Sequence, residues 1–318
     1  MSVVHLRVAC PPERTEQILA LLADDGCVVD VAVHRGALHP VGDAIECDVL
    51  AGAANDVLAR LRELRVHQHG SLMVDPVDLA MSDRFDAAAA ALKGPLARAP
   101  VWAEVEARIA ADATATPSFY LYLVIAGVIG AVGLLTNSEI LIVAAMILGP
   151  EYGPITGVAL GIDRRAWRPI RQGLAALTVG FGMAIVAAYA FTMLVRGLGL
   201  VPTAYTLGLR PVSHLIDTPN FYSVVVAVLA GIAGVVALAH TRTSTLLGVF
   251  VSVTTIPAAA DIGVALAAGS PAEAHGSLLQ LLLNITLLII VGFATLRVLR
   301  RLWGRISRRA QTRRQKQH

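Results

Sequence analysis

The chain has 318 residues, of which 56% belong to the hydrophobic set and only 15% are charged, against about 25% charged in soluble proteins. With a mean hydropathy of +0.66, this composition argues against a soluble enzyme and against disorder, and it favours an integral membrane protein. The net charge of +3 hides a division: residues 1–116 hold 10 basic and 17 acidic side chains, and residues 117–318 hold 16 basic and 6 acidic. The chain reads as an acidic soluble domain followed by a basic membrane domain.

Met1–Cys10 has neither the apolar core nor the cleavage site of a signal peptide, so none is expected. Val3–Val8 alternates like a strand. Pro11-Pro12 opens a helical pattern with Ile18, Leu21 and Leu22 on one face, and Gly26 ends it. Cys27–His34, apolar and β-branched, predicts a second strand, Gly36 to Gly42 a turn-rich connection, and Ala44–Leu50 a third strand. Val57, Leu58, Leu61 and Leu64 recur at helical spacing within Ala53–Leu64, and Ser71–Val77 predicts a last strand. The order β-α-β-β-α-β within residues 1–82 is the split βαβ of an α+β, ferredoxin-like domain. By fold analogy alone, such a domain suits small-ligand binding or service as a rigid interaction module. Cys10, Cys27 and Cys47 have no C-x-x-C spacing and no accompanying histidine cluster. They read as small buried apolar residues rather than metal ligands, and their odd number fits a reducing compartment. His67 and His69 flank a turn. No metal and no cofactor is expected.

Residues 83–116 form a helical connector. Ala87–Leu92 is helix-forming, Gly94-Pro95 breaks it, and Val101, Trp102, Val105 and Ile109 recur at helical spacing. That stripe suits a helix at a membrane interface or one packed on the soluble domain. Six apolar runs follow within residues 117–303: Phe119–Leu135, Glu139–Ile162, Leu174–Val195, Phe221–Leu238, Ser244–Ala268 and Leu278–Leu296. Each approaches the ~20 residues needed to cross hydrocarbon. The second is interrupted at Gly149-Pro150-Glu151-Tyr152-Gly153-Pro154 and the fifth near Thr254-Thr255-Ile256-Pro257. Pro117-Ser118-Phe119-Tyr120 and Pro219-Asn220-Phe221-Tyr222 open the two halves, and the Gly-Val-Ala-Leu of Gly157–Leu160 returns at Gly263–Leu266. These matches predict two three-span repeats with broken second and fifth helices.

Arg164, Arg165, Arg168 and Arg171 lie between the second and third spans, Arg242 lies between the fourth and fifth, and nine basic residues with no acid follow from Arg297 onward. The first-to-second and fifth-to-sixth loops hold no Lys or Arg. The positive-inside rule then puts the basic loops and the tail in the cytoplasm and gives a multi-pass protein with both termini cytoplasmic. Each repeat has an odd number of spans, so the halves are inverted relative to one another, an arrangement shared with secondary transporters.

Inversion would bring the two breaks together near the bilayer centre, where freed backbone groups need protein, water or a solute. Glu151 sits in the first break and Asp261 four residues beyond Pro257; they are the only acids well inside the expected spans. A charge there is expensive unless paired, solvated or protonated. The two read as a proton or cation site, or as carboxyls capping the next half-helix. Gly149, Pro150, Gly153, Pro154 and Pro257 shape the breaks. Thr254, Thr255 and Asn284 are candidate polar ligands or ordinary interhelical hydrogen bonders. Gly127, Gly130, Gly133, Gly231 and Gly234 read as close-packing positions. Arg300, Arg301, Arg305, Arg308 and Arg309, in and just before a basic cytoplasmic tail of residues 304–318, suit attraction to anionic lipid. No recognition motif points to nucleic acid.

The run Ala144-Ala145-Met146-Ile147-Leu148-Gly149-Pro150-Glu151-Tyr152-Gly153-Pro154-Ile155 resembles the Ala-Met-x-x-x-Pro-x-x-x-Pro-Ile signature of the bacterial hydrophobic membrane family known as domain of unknown function three-eighty-nine. Leu247-Gly248-Val249-Phe250, followed by Ile256-Pro257 and Gly263, resembles its second signature, and the likeness covers about residues 118–300. The sequence departs at Pro257-Ala258, where many members show two prolines, and at Glu151, where others often carry an apolar residue. The resemblance implies a polytopic protein of the bacterial cytoplasmic (inner) membrane and names no substrate.

The leading expectation is a transporter of an unidentified small solute or ion, with Glu151 and Asp261 at a midplane site and the soluble domain regulating it or assembling it into a homo-oligomer. The alternatives are an oligomeric channel lined by the broken helices, and a membrane-anchored sensor or scaffold whose soluble domain binds a ligand or partner. An enzyme is not expected: the sequence has no G-x-S-x-G, no H-E-x-x-H, no P-loop and no dinucleotide fingerprint in a βαβ context.

Overall fold

The computed structural model describes residues 3–39, 41–77, 80, 82–91, 99–239 and 254–315. The chain divides into two compact units, residues 1–105 with 299–318, and residues 106–298.

The first unit is built on strands β1 (Val3–Cys10), β2 (Val28–Leu38), β3 (Gly42–Leu50) and β4 (Ser71–Val77). They lie in the order β2-β3-β1-β4 with every neighbouring pair antiparallel. Helices α1 (Pro12–Ala23) and α2 (Ala51–Glu63) and the single turn α3 (Val66–His69) make the connections. Strand alternation decides the faces. Val4, Leu6 and Val8 of β1 and Ile45, Cys47 and Val49 of β3 are buried with Ile18, Leu22, Val57 and Leu61 of the helices. On the other face, polar side chains pair across strands: His5 Nδ1 with Asp48 at 2.9 Å and Arg7 with Glu46 at 3.5 Å. Pro76 is tolerated in β4 because that strand is at an edge of the sheet.

The expected turn from Gly36 to Gly42 is shorter than its composition suggests. β2 continues to Leu38 through register shifts between Val29 and Ala32 and between His34 and Leu38. Asp30 (φ 52°) and Gly36 (φ 65°) take left-handed backbone there, which interrupts the period of two on which strand recognition depends. Buried Asp43 fixes the bend: Oδ2 accepts the Thr15 hydroxyl at 2.7 Å and Oδ1 the Gly36 N–H at 2.8 Å.

Helices α4 (Asp83–Ala91) and α5 (Trp102–Asp112) follow; Leu92 and the Gly94-Pro95 break lie outside the described residues. Asn55 clamps the start of α5. Its amide donates to the Pro100 carbonyl at 2.9 Å, and its side-chain oxygen accepts the Trp102 N–H at 2.9 Å. The first turn of α5 therefore packs on the sheet-bearing unit, with Val101 and Val105 buried.

The second unit holds α6 (Pro117–Thr136), α7 (Glu139–Leu148), α8 (Tyr152–Asp163), α9 (Trp167–Gly197), the short α10 (Thr203–Thr206) and α11 (Pro211–Ile216), α12 (Phe221–Ala239), α13 (Thr255–Ala268) and most of α14 (Pro271–Gln315). Among the described residues four helices, α6, α9, α12 and α14, are long and apolar enough to cross a membrane, and α7 with α8 makes a fifth candidate bent by 50°. The sixth expected span is half in view. Helix α13, with 14 residues, is about 21 Å long at 1.5 Å per residue, short of the ~30 Å hydrocarbon layer. The residues before it, with Ser244, Arg242 and the Leu247–Phe250 motif, lie outside the described ones. Apolar side chains cover much of the surface: Phe221, Tyr222 and Ile140 are 74%, 75% and 82% exposed, an arrangement lipid accepts and water does not. The protein is a multi-pass membrane protein.

Local sequence sets the helix ends. Pro117 occupies the first position of α6 and the Thr116 hydroxyl accepts the Phe119 N–H at 3.3 Å. Left-handed Asn137 (φ 51°) closes α6 and Gly269 (φ 78°) closes α13. The five glycines singled out in the sequence each face a neighbour: Gly127 meets Ala184, Gly130 meets Ala260, Gly133 meets Ile142, Gly231 meets Val291 and Gly234 meets Tyr152. In this way α6, α9 and α13 approach more closely than side chains would allow. No helix end falls at the expected start of the tail, residue 304, since α14 runs unbroken to Gln315. Arg301 and Arg305 on it are exposed, and the Arg300 guanidinium lies 5.4 Å from the Trp102 ring centroid. The side chains of Arg308 and Arg309 lie outside the described residues.

Candidate functional site

The first break is narrower than the sequence suggests. Helix α7 ends at Gly149, whose backbone is extended (φ −69°, ψ 124°), and α8 restarts at Tyr152. Pro154 is the third residue of α8, where a missing N–H costs nothing. Helix α13 repeats the pattern: Thr254 precedes it and Pro257 is its third residue. Both prolines sit in the first turn of a helix, and Pro150 lies between α7 and α8.

The N-termini of α8 and α13 meet. Glu151 Oε1 accepts a hydrogen bond from the Thr255 hydroxyl at 2.6 Å, and both side chains are buried. Gly149 makes room, because a Cβ there would run into Glu151 Oε2 and the Ile256 side chain. Gly153 likewise lies against the Asp112 carbonyl. Next to Thr255, the Thr254 hydroxyl accepts from Asn284 Nδ2 at 3.0 Å and from Gln280 Nε2 at 3.3 Å. Gln280 and Asn284 stand one turn apart on α14, each 2% exposed. Sequence reasoning missed Gln280; its signal is the spacing of four from Asn284 inside an apolar run.

Two oxygens in this cluster, Glu151 Oε2 and Gln280 Oε1, are buried and have no hydrogen-bond partner. Natural proteins leave few such groups. The half-helix N-termini add N–H groups with partial positive charge. A carboxyl with one donor and one unmet oxygen, at the start of two half-helices, is suited to binding and releasing a small charged species.

Asp261 stands apart. Its side chain is fully buried and both oxygens are satisfied, Oδ1 by the Ser213 hydroxyl at 2.7 Å and Oδ2 by the Ser277 hydroxyl at 2.6 Å. Ser213 comes from α11, in a stretch the sequence presents as a plain connection. Arg210 pairs with Glu273 at 2.9 Å and lies 4.1 Å from the Tyr205 ring centroid. Arg196 reaches the Ala267 carbonyl at the end of α13. The structure thus joins Glu151, Gly149, Thr254, Thr255 and Asn284 and leaves Asp261 in a second cluster farther along α13. Among the described residues, no group of three or more His, Cys, Asp and Glu side chains is placed to hold a metal ion.

Residues 146–290 match the family described as "Domain of unknown function (DUF389)", so the resemblance carried by the two motifs holds over that stretch. An uncharacterised protein of the archaeon Methanocaldococcus jannaschii is 24% identical over 169 residues, 52% of this chain and 49% of that protein. The match therefore spans about half the length of the curated relative. No solved structure matches the chain.

Proposed function

Taking residues 146–290 as a domain of that family, we propose that the protein is a carrier for a small solute or ion, with its site where the two half-helices meet. One observation carries this reading: the Glu151–Thr255 hydrogen bond ties together half-helix N-termini 104 residues apart in the chain. Helix order supports an internal repeat. Long α6, the broken pair α7–α8 and long α9 are followed by long α12, short α13 and long α14. Helices α6 and α12 open alike, on a capping side chain (Thr116, Asn220) and an edge-to-face Phe-Tyr pair with centroids 5.2 Å and 5.9 Å apart. With Arg164, Arg165, Arg168 and Arg171 on the cytoplasmic side, both termini are cytoplasmic and the two halves are inverted. Arg301 and Arg305 then suit anionic headgroups, and the ferredoxin-like domain suits assembly of a second copy. A polar site closed by its own hydrogen bonds favours binding and exchange over an open pore.

Proteoliposomes holding the full chain, tested with Na⁺, K⁺, chloride and phosphate as probes, should show saturable flux that Glu151→Leu abolishes. Single-channel currents would replace the carrier with a channel, and no flux of any probe above empty liposomes would favour the sensor or scaffold.

A further inference from the structure

The two polar clusters are rungs of one ladder. Helices α13 and α14 run antiparallel. Asp261 bonds Ser277, and Thr254 bonds Asn284. The residues of each helix are seven apart, two full turns, so the rungs stand about 10 Å apart along the helices. Ser277, Gln280 and Asn284 fall at i, i+3 and i+7, one face of α14, and are 0%, 2% and 2% exposed. Gln280 lies between the rungs in register, and its Oε1 is unpaired. The inner rung continues through Thr255 to Glu151, whose Oε2 is the other unpaired oxygen. Buried polar side chains therefore form a seam in two hydrogen-bonded groups, Ser213-Asp261-Ser277 and Gln280-Asn284-Thr254 with Thr255-Glu151 beside them, with the unmet acceptor of Gln280 between the groups and another at Glu151.

Resting on the carrier reading above, we propose that this seam is a proton path in which Asp261 is the station on the non-cytoplasmic side and Glu151 the station at the helix breaks. Hydroxyls suit the task because each both donates and accepts, and Ser213, Ser277, Thr254 and Thr255 supply four. A metal cation suits it less: the amide nitrogens of both Gln280 and Asn284 face Thr254, lining the inner rung with donors. Other ionisable groups surround the outer station: Asp217 and His214 at α11, Arg210 before it, Tyr205 on α10, Arg196 on α9 and Glu273 on α14. Tyr152 adjoins the inner station on α8. The step moves one H⁺ from a protonated carboxyl to a carboxylate: an O–H bond breaks at the donor, each hydroxyl on the way accepts one proton as it gives up its own, and an O–H bond forms at the receiving carboxylate, with no change of oxidation state.

The test is proton entry into proteoliposomes of the full chain under an imposed pH gradient, read by a trapped pH dye. Wild type should admit protons faster than empty liposomes. Glu151→Gln and Asp261→Asn should each reduce entry to the rate of empty liposomes, because neither amide can take up and pass on a proton as a carboxyl does. Ser277→Ala, which keeps Asp261 and its Ser213 donor, should slow entry by less and guards against a misfolded Asp261→Asn. Wild-type entry no faster than empty liposomes overturns the proposal, as do Asp261→Asn and Ser277→Ala rates equal to wild type. Saturable probe flux without proton entry removes the proton path and leaves the carrier standing. Proton entry that needs both carboxyls, with no probe moved, keeps the path and removes the carrier of those probes.

Discussion

Replacing Thr255 by Val keeps the shape of the side chain and removes the one hydroxyl that meets Glu151, at 2.6 Å. A hydrogen bond to a charged group contributes about 1.5–3 kcal/mol and one between neutral groups about 0.5–1.5. Hydrogen bonds between helices in a bilayer average only about 0.6 kcal/mol, because separated helices find other partners. Glu151 is poorly placed for that compensation, since Oε2 has no partner even in the folded protein. Thr255→Val leaves the second buried oxygen of Glu151 unpaired as well and should therefore cost about 1–3 kcal/mol, the penalty of an unsatisfied buried acceptor. Pairing it with Glu151→Leu sharpens the test, because replacing both partners by apolar groups of similar shape is close to neutral. The double variant should be more stable than Thr255→Val alone. The measurement is the folded fraction in mixed micelles of rising SDS content, for both singles and the double. Costs that add to within about 0.5 kcal/mol would show that the two side chains do not interact, and the joined breaks would lose their support.

Gly263→Ala would place a Cβ 2.5 Å from the Ile185 carbonyl oxygen and 2.8 Å from the Tyr189 nitrogen, both backbone atoms that cannot rotate away. Its folded yield should collapse, whereas Gly182→Ala, with open space around the new Cβ, should gain about 0.5–1 kcal/mol in a helix interior; equal yields would refute the packing of α13 on α9. The Thr15 hydroxyl, and after it the Gly36 N–H, hold the Asp43 carboxyl below the ordinary carboxylate range. A lowered folded value means that these bonds stabilise the domain above the unfolded pKa of about 3.9 and that the stability is lost as pH falls through the lower folded value. Thr15→Val should weaken that acid dependence, and a wild-type Asp43 resonance titrating in the ordinary range would contradict it. Burial, and next the charge of Asp48, push the Cys47 thiol up to about 12. With Cys10 and Cys27 also buried, maleimide at neutral pH should label no cysteine until denaturant is added, and rapid labelling of the native chain would refute this.

Much of the fold was legible because the period of side-chain burial reports the backbone directly. Ser71–Val77 reads as a strand and is one, and Val57, Leu58 and Leu61 face the core as their spacing requires. Periodicity fails where the backbone leaves its period. Asp30 and Gly36 bend β2 through left-handed conformations, and the strand passes through glycines that look like a turn. The prolines mark the breaks only approximately, because a proline is as acceptable in the first turn of a half-helix as between two.

The sequence by itself determined the composition of a membrane protein, the break between α7 and α8, and the polar residues Glu151, Thr254, Thr255, Asp261 and Asn284 within apolar runs. These are properties of single segments, where hydrophobicity, proline and glycine act locally. Only the tertiary structure decided which of them meet. Thr255 bonds Glu151 across 104 residues, and Asp261 takes its donors from Ser213 and Ser277 on two other helices. It also brought in Gln280, whose role depends on the antiparallel register of α13 against α14. Partnerships between distant segments follow from how helices pack and in what register, which depends on side chains on both surfaces at once and leaves no mark on either segment alone.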